Sequence, residues 1–360
     1  MRLILEDAVF SDDPAIQMDL LALFRLAHSG RHRVILATEP CLAYDAWIDG
    51  LSQNLRELVE TIRRVSLDVE SRNPALIGLR ITPTSSLARD SSRDTIEPTR
   101  AEPSVPLEEA LRLLHLPLRV IVEDSINDRA FLIAAARPED REQLERAERE
   151  HWLSFENGGG LPGIDRLFAV NTPGGLDTPL RRLRAFLVYD SDRLAPNAAS
   201  KRSDKLSEKC TDLGLVQPRR YHQLHRRCIE NYLPVQALTR WQQSSKGRND
   251  KPAVVQAWQR LDSPQKHHFN MKAGFLGDQA RITAANHGIA LCERCGLKLP
   301  LIYETLVPAD VTTLSKGFDN QVAADFKDQA AWYRQHPSWR HEAGIAEELD
   351  ELMDALLGAL

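Results

Sequence analysis

Residues 119–128 read Arg119-Val120-Ile121-Val122-Glu123-Asp124-Ser125-Ile126-Asn127-Asp128, and the fold class follows from this stretch. A short β-branched run that stops at an acid is the pattern of a strand buried on both faces. The polar turn after it leads into Ala130-Phe131-Leu132-Ile133-Ala134-Ala135, an apolar segment of helical character. A second run of the same kind, Ala185-Phe186-Leu187-Val188-Tyr189, ends in Asp190-Ser191-Asp192-Arg193. The reading is strands over 118–122, 152–155 and 184–189, with a helix over 128–136. Strands separated by helical segments predict βαβ units and a mainly parallel, Rossmann-like α/β sheet.

Outward from this core, residues 1–83 also alternate. Leu3-Ile4-Leu5 and Arg33-Val34-Ile35-Leu36 read as strands, and Ile16, Leu20, Leu23, Phe24 and Ala27 fall on one helical face between them. This stretch is expected to be an N-terminal α/β domain of unassigned role. Residues 84–106 lose apolar periodicity and read as a linker or mobile loop, with Pro106 opening a helix through Leu116. The strand-rich part then occupies 107–275, and 276–360 reads as a mainly helical region. Within it Ile345, Leu349, Leu352, Met353, Leu356, Leu357 and Leu360 recur at three- and four-residue steps. Such a stripe is buried either on its own domain or on another chain, which leaves a homodimer or a separate protein as its second possible cover.

Open α/β sheets bind ligands outside the carboxyl ends of their strands, where Glu123, Asp190 and Asp192 stand. Asp-x-Asp leaving a strand brings like charges together, a costly arrangement that a hard cation such as Mg²⁺ or Mn²⁺ relieves. A third segment, His225-Arg226-Arg227-Cys228-Ile229-Glu230-Asn231-Tyr232-Leu233, sets an acid and an amide beside two arginines.

Taken in order, these segments resemble the Toprim domain. More narrowly, they resemble the Toprim nucleases of the OLD (overcoming lysogenization defect) type and their stand-alone relatives in bacterial immunity systems. The turn Asn157-Gly158-Gly159-Gly160-Leu161-Pro162-Gly163 is similar to the glycine-rich turn often found between the acidic motifs. The likeness covers residues 117–275; each motif alone is unspecific, whereas the ordered set is fairly specific. One departure stands out. Asp124 replaces the glycine after the first acid, and the next acid, Asp128, lies five residues on, with Asn127 at the usual place.

The resemblance implies a Mg²⁺- or Mn²⁺-dependent endonuclease, with Glu123, Asp128, Asp190, Asp192 and Glu230 as metal ligands. Glu123, Asp190, Asp192 and Lys272 are the catalytic set, and Arg193, Arg226 and Arg227 are expected to grip backbone phosphates of DNA or RNA. It also implies a role in anti-phage defence under a separate ATPase, because the chain contains no Gly-x-x-x-x-Gly-Lys-Ser/Thr motif. The alternatives are a non-cleaving nucleic-acid-binding or regulatory subunit and an RNA-maturation ribonuclease.

Composition limits the choices. The 360 residues carry 46 Lys+Arg and 51 Asp+Glu, for a net charge of -5, which excludes a uniformly basic coat. Residues 201–272 nevertheless contain 15 basic and six acidic residues, a local +9 against -14 for the remainder. A positive groove for a polyanion is one reading and a set of solvated helix faces is the other. No run approaches the roughly 18 apolar residues of a membrane span. Five cysteines do not make a disulfide scaffold, so a cytoplasmic setting is expected. Cys292-Glu293-Arg294-Cys295 is half a zinc site, with His287 as the one close imidazole, and no zinc is expected there.

Overall fold

The computed structural model describes residues 1–72, 78–83, 103–198, 200–215, 217, 219–244, 249–282, 289–319 and 322–360. Two four-stranded sheets, each wholly parallel, form the framework. The first contains β1 (Arg2–Leu5), β2 (Arg33–Leu36), β3 (Gly78–Thr82) and β4 (Ser104–Pro106), in the order β2-β1-β3-β4. The second contains β5 (Leu118–Val122), β6 (Leu153–Asn157), β7 (Ala185–Tyr189) and β8 (Tyr221–Gln223), in the order β6-β5-β7-β8. An antiparallel hairpin, β9 (Ile289–Cys292) and β10 (Leu297–Pro300), lies in the region expected to be helical.

Both faces of the second sheet are covered, and side-chain alternation sorts its strands between two cores. Leu118, Val120 and Val122 of β5, with Phe186 and Val188 of β7, join a large core that also contains Leu3, Leu5 and Leu79 of the first sheet. Ile121, Ala185, Leu187 and Tyr189 face a smaller core with Leu161, Ile164 and Leu206. The large core continues through Phe269, Phe275, Phe318, Phe326 and Trp339 into the terminal helix Ala346–Ala359. Residues beyond 275 therefore share one interior with the strand-rich part.

Two expectations are corrected, and a third, left between two covers, is decided. The end of the segment read as a linker is a strand: residues 104–106 pair in parallel with β3, while 84–102 lie outside the described residues. Pro106 caps the following helix, Leu107–His115, from outside instead of opening it. The apolar stripe of the terminal helix is covered by its own chain, with Leu349, Leu352, Met353 and Leu356 all fully buried. That face is therefore not a docking surface for a second copy or a separate ATPase. The helix Pro138–Arg149 escaped the periodicity reading because it is highly charged; its inward face is Asp140, Arg141, Leu144 and Ala147.

Candidate functional site

In the order β6-β5-β7-β8 the chain runs from β5 outward to β6, then returns across β5 to add β7 and β8. The topological switch lies between β5 and β7, the place where open parallel sheets leave a crevice at their carboxyl ends. Glu123 directly follows β5 and Asp190 directly follows β7. They meet across the switch, where the Asp190 backbone N–H donates to Glu123 Oε1 at 2.9 Å.

The glycine-rich turn after β6 forms one wall. Gly158 N–H donates to Val122 O at 2.7 Å, and the Leu161 N–H is a further backbone donor to the Glu123 carboxylate. The turn folds back so tightly that a Cβ on Gly163 would stand 1.8 Å from Gly158 O, so only glycine fits there.

The turn after Glu123 is closed by its own side chains. Asp124 accepts from Ile126 N–H at 2.9 Å and from Asn127 Nδ2 at 2.6 Å. Asp128 accepts the Asp124 N–H at 2.9 Å from the first turn of the helix Asn127–Ala135. The extra residue before Asp128 thus does not turn it away: its charge is felt at Asp190, and it feels Glu123 and Glu230.

Glu230 arrives from a short helical turn, Ile229–Tyr232, and is 1% exposed. Its contact is Lys272 Nζ, 2.9 Å from Oε1, and neither arginine beside it in sequence. Neither Glu230 oxygen accepts a well-directed hydrogen bond among the described residues. Lys272 is held by a backbone clamp: Phe318 N–H donates to Met271 O at 2.6 Å and Asp319 N–H to Lys272 O at 3.2 Å. The clamp closes because Gly274, at φ +60°, approaches Leu314 O to within 2.2 Å of where a Cβ would be.

Electrostatics bind the group together. Burial, then the charge of Asp192, pushes Glu123 up to about 7 against the help of the Asp190 N–H. Burial, with Glu123, Asp124 and Glu230 nearby, pushes Asp128 up to about 7. Asp190 is raised well above the usual carboxylate range by burial and by Glu123, Glu230 and Asp128. Burial works against the charge on Lys272, but Glu230 and Asp190 outweigh it and raise its pKa. Four acids around one ammonium leave an excess of negative charge that a divalent cation would neutralise. The buried Glu230 oxygens and the raised acids fit a hard cation. The one set of three donor atoms lying within 4.8 Å of one another among the described residues is elsewhere, at His222, His225 and Glu348.

The remaining sequence candidates divide. Asp192 adopts φ +57° and sits at the rim, where Arg281 Nη2 donates to its carbonyl at 2.5 Å and Arg281 Nη1 lies 3.4 Å from its carboxylate. The Asp-x-Asp pair therefore sends one acid inward and the other to a salt bridge. Arg226 and Arg227 are corrected as phosphate grips. Arg226 is buried, donating to Asn231 O at 2.7 Å and Ala343 O at 2.8 Å and lying over the Tyr232 ring. Arg227 is buried in a two-pronged pair with Asp278 at 2.7 and 2.6 Å. Arg193 is half-buried and bonded to Asp204 at 3.1 Å.

Much of the local +9 is consumed the same way, as Lys209, Arg240 and Arg260 pair with Asp165, Asp325 and Asp310. Lys201, Arg202 and Lys205 stay exposed, flanking Ser203, whose hydroxyl donates to Asp190 O at 2.7 Å. Sequence reading passed over these three and Arg281, although a basic cluster just past an acidic strand end was a usable signal for the three. Cys292 ends β9 and Cys295 lies within the β9–β10 turn, and His287 lies outside the described residues.

Fold and site together define an α/β protein with a carboxylate-rich crevice at the switch point of a parallel sheet. Compared with protein families, curated proteins and solved structures, the chain matches none. No helix among the described residues is long and apolar enough to cross a membrane.

Proposed function

We propose that this chain is a metal-dependent phosphodiesterase acting on nucleic acid, of the kind the Toprim resemblance suggests. The observation that carries the proposal is the convergence of Glu123, Asp128, Asp190 and Glu230 with Lys272 at the switch point. Three of the four acids are held well above their ordinary pKa values.

Glu123, Asp190 and Glu230, with Asp128 beside them, would hold Mg²⁺ or Mn²⁺. When bound, such ions stabilise charge on the attacking and leaving oxygens of a phosphodiester. The chain's own residues do the rest. Lys272 lies within reach of Glu230 and offers a positive charge to a non-bridging phosphate oxygen. Glu123, one oxygen of which is fixed by the Asp190 N–H, would orient a water beside the ion by hydrogen bonding. Lys201, Arg202 and Lys205 replace Arg226 and Arg227 as the backbone-phosphate contacts.

A non-cleaving, nucleic-acid-binding subunit is the second reading. It is favoured by the Lys272–Glu230 pair, in which an internal ammonium already satisfies part of the acidic charge. Incubating the purified protein with plasmid, linear DNA, transfer RNA and ribosomal RNA in Mg²⁺, Mn²⁺ or EDTA separates the two. Cleavage that requires metal and is lost in Asp190→Asn supports the enzyme. Salt-sensitive binding without cleavage supports the second reading. Anti-phage defence under a separate ATPase remains part of the first reading, and its test is whether expression is toxic in a manner that Asp190→Asn removes.

A further inference from the structure

Away from the carboxylate crevice, β8 and the terminal helix meet through a group of side chains that the proposed activity does not use. His222 lies on β8 and is 0% exposed; His225 follows the strand and is 58% exposed; Glu348 comes from the first turn of the helix Ala346–Ala359. Their ligand atoms all lie within 4.8 Å of one another. The Glu348 carboxylate turns one oxygen to each imidazole, with Oε1 3.1 Å from His222 Nε2 and Oε2 3.5 Å from His225 Nδ1. Zinc bonds to nitrogen and oxygen of about 2.0–2.2 Å put neighbouring tetrahedral ligands about 3.3–3.5 Å apart, and the Oε2–Nδ1 pair stands at that spacing.

The carboxylate is also held as a ligand needs to be. Tyr232 OH donates to Glu348 Oε1 at 2.6 Å and the His225 backbone N–H at 2.8 Å, fixing its orientation and leaving Oε2 without a hydrogen bond among the described residues. Hydrogen bonding uses one of the two imidazoles, His222, whose other nitrogen is buried without a partner. His225 faces Oε2 without a hydrogen bond to it. A cation between the three groups would use both rings, and the exposed side of His225 gives it an entry path and room for a water as fourth ligand.

We propose that His222, His225 and Glu348 form a binding site for a borderline-soft divalent cation of the zinc class, which clamps the terminal helix to the end of β8. Two imidazoles and one carboxylate favour Zn²⁺ over the Mg²⁺ suited to the all-oxygen crevice. The clamp joins positions 123 and 126 residues apart in sequence. It also fixes the segment that carries Glu230 five residues after His225. The proposal does not depend on the protein being a nuclease.

The test uses full-length protein stripped with a chelator and titrated with Zn²⁺ or Co²⁺ in excess Mg²⁺. Bound metal is counted after dialysis and the visible absorption of Co²⁺ is recorded. His225→Ala is the informative variant, since the ring is largely exposed and its loss should leave the fold intact. Glu348→Gln is the second, because its amide oxygen can keep the Tyr232 and His225 N–H bonds.

The wild type is expected to bind one equivalent that His225→Ala does not, to show the absorption of four-coordinate Co²⁺, and to melt about 5 °C higher with Zn²⁺. Equal metal content and equal spectra in wild type and His225→Ala would overturn the proposal, as would a wild type that binds no Zn²⁺. Binding that survives both His225→Ala and Glu348→Gln but is lost in Asp190→Asn would place the ion in the crevice, and would overturn it as well.

Discussion

Replacing Glu123 with Gln removes one charge from the crevice while leaving an oxygen to accept the Asp190 N–H. Glu123 ionises near its ordinary 4.5 in the unfolded chain and near 7 in the folded protein. Between these values the folded state holds more protons than the unfolded state, so metal-free stability falls as pH rises, and above about 7 the full cost is present. That difference corresponds to about 3 kcal/mol, of which about 2 kcal/mol is ascribed to this residue because Asp128 and Asp190 share the same protons.

At about pH 8 in EDTA, Glu123→Gln should therefore melt about 2–3 °C above the wild type. Near pH 4, where Glu123 is protonated in both states, the advantage should vanish. Saturating Mg²⁺ or Mn²⁺ should raise the wild-type melting temperature and leave the variant nearly unmoved, while cleavage falls by orders of magnitude. Thermal melts at both pH values, with and without metal, measure all of this. A variant less stable than the wild type at about pH 8, or equally stabilised by metal, would refute the account of the crevice as a strained, cation-seeking cluster.

The other predictions are structural and electrostatic. Gly163→Ala forces a Cβ onto Gly158 O and should cost at least about 1–3 kcal/mol in denaturant unfolding, with cleavage reduced because the turn also shapes the Glu123 pocket. Arg227→Ala strands the buried Asp278 carboxylate and should cost about 3–5 kcal/mol, whereas a phosphate-gripping Arg227 would weaken binding and leave stability unchanged. Alanine at Lys201, Arg202 and Lys205 should lower the salt dependence of nucleic-acid binding by roughly one unit of slope for each phosphate deprived of its cation, without moving the melting temperature. Truncation after Arg340 exposes the partners of Leu349, Leu352, Met353 and Leu356, worth about 6–12 kcal/mol of burial. It should give insoluble or unfolded protein by circular dichroism, not a folded nuclease lacking a docking helix.

The strands at 118–122 and 185–189 and the acids that end them were legible because a buried parallel strand is a local run of apolar residues and its end is marked by the first charge. The helix over 14–28 was legible in the same way, from one apolar stripe. Sequence order alone also placed Glu123 and Asp190 at carboxyl ends, and hence at a candidate crevice. The three-residue strands β4 and β8 and the charged helix Pro138–Arg149 were not legible, since their status depends on neighbours and not on any period of their own.

Tertiary structure decided what each charge does. Arg226 and Arg227 look like phosphate ligands in a basic stretch, yet partners at Ala343 and Asp278 turn them inward. Lys272 meets Glu230 only because Gly274 lets the chain approach 314–319, and Arg281 reaches Asp192 from 89 residues away. The pairing of His222 and His225 with Glu348 spans still more chain. A residue's type sets the interactions it can make; only the folded chain sets which partner stands within the few ångströms where charge and hydrogen bonding act.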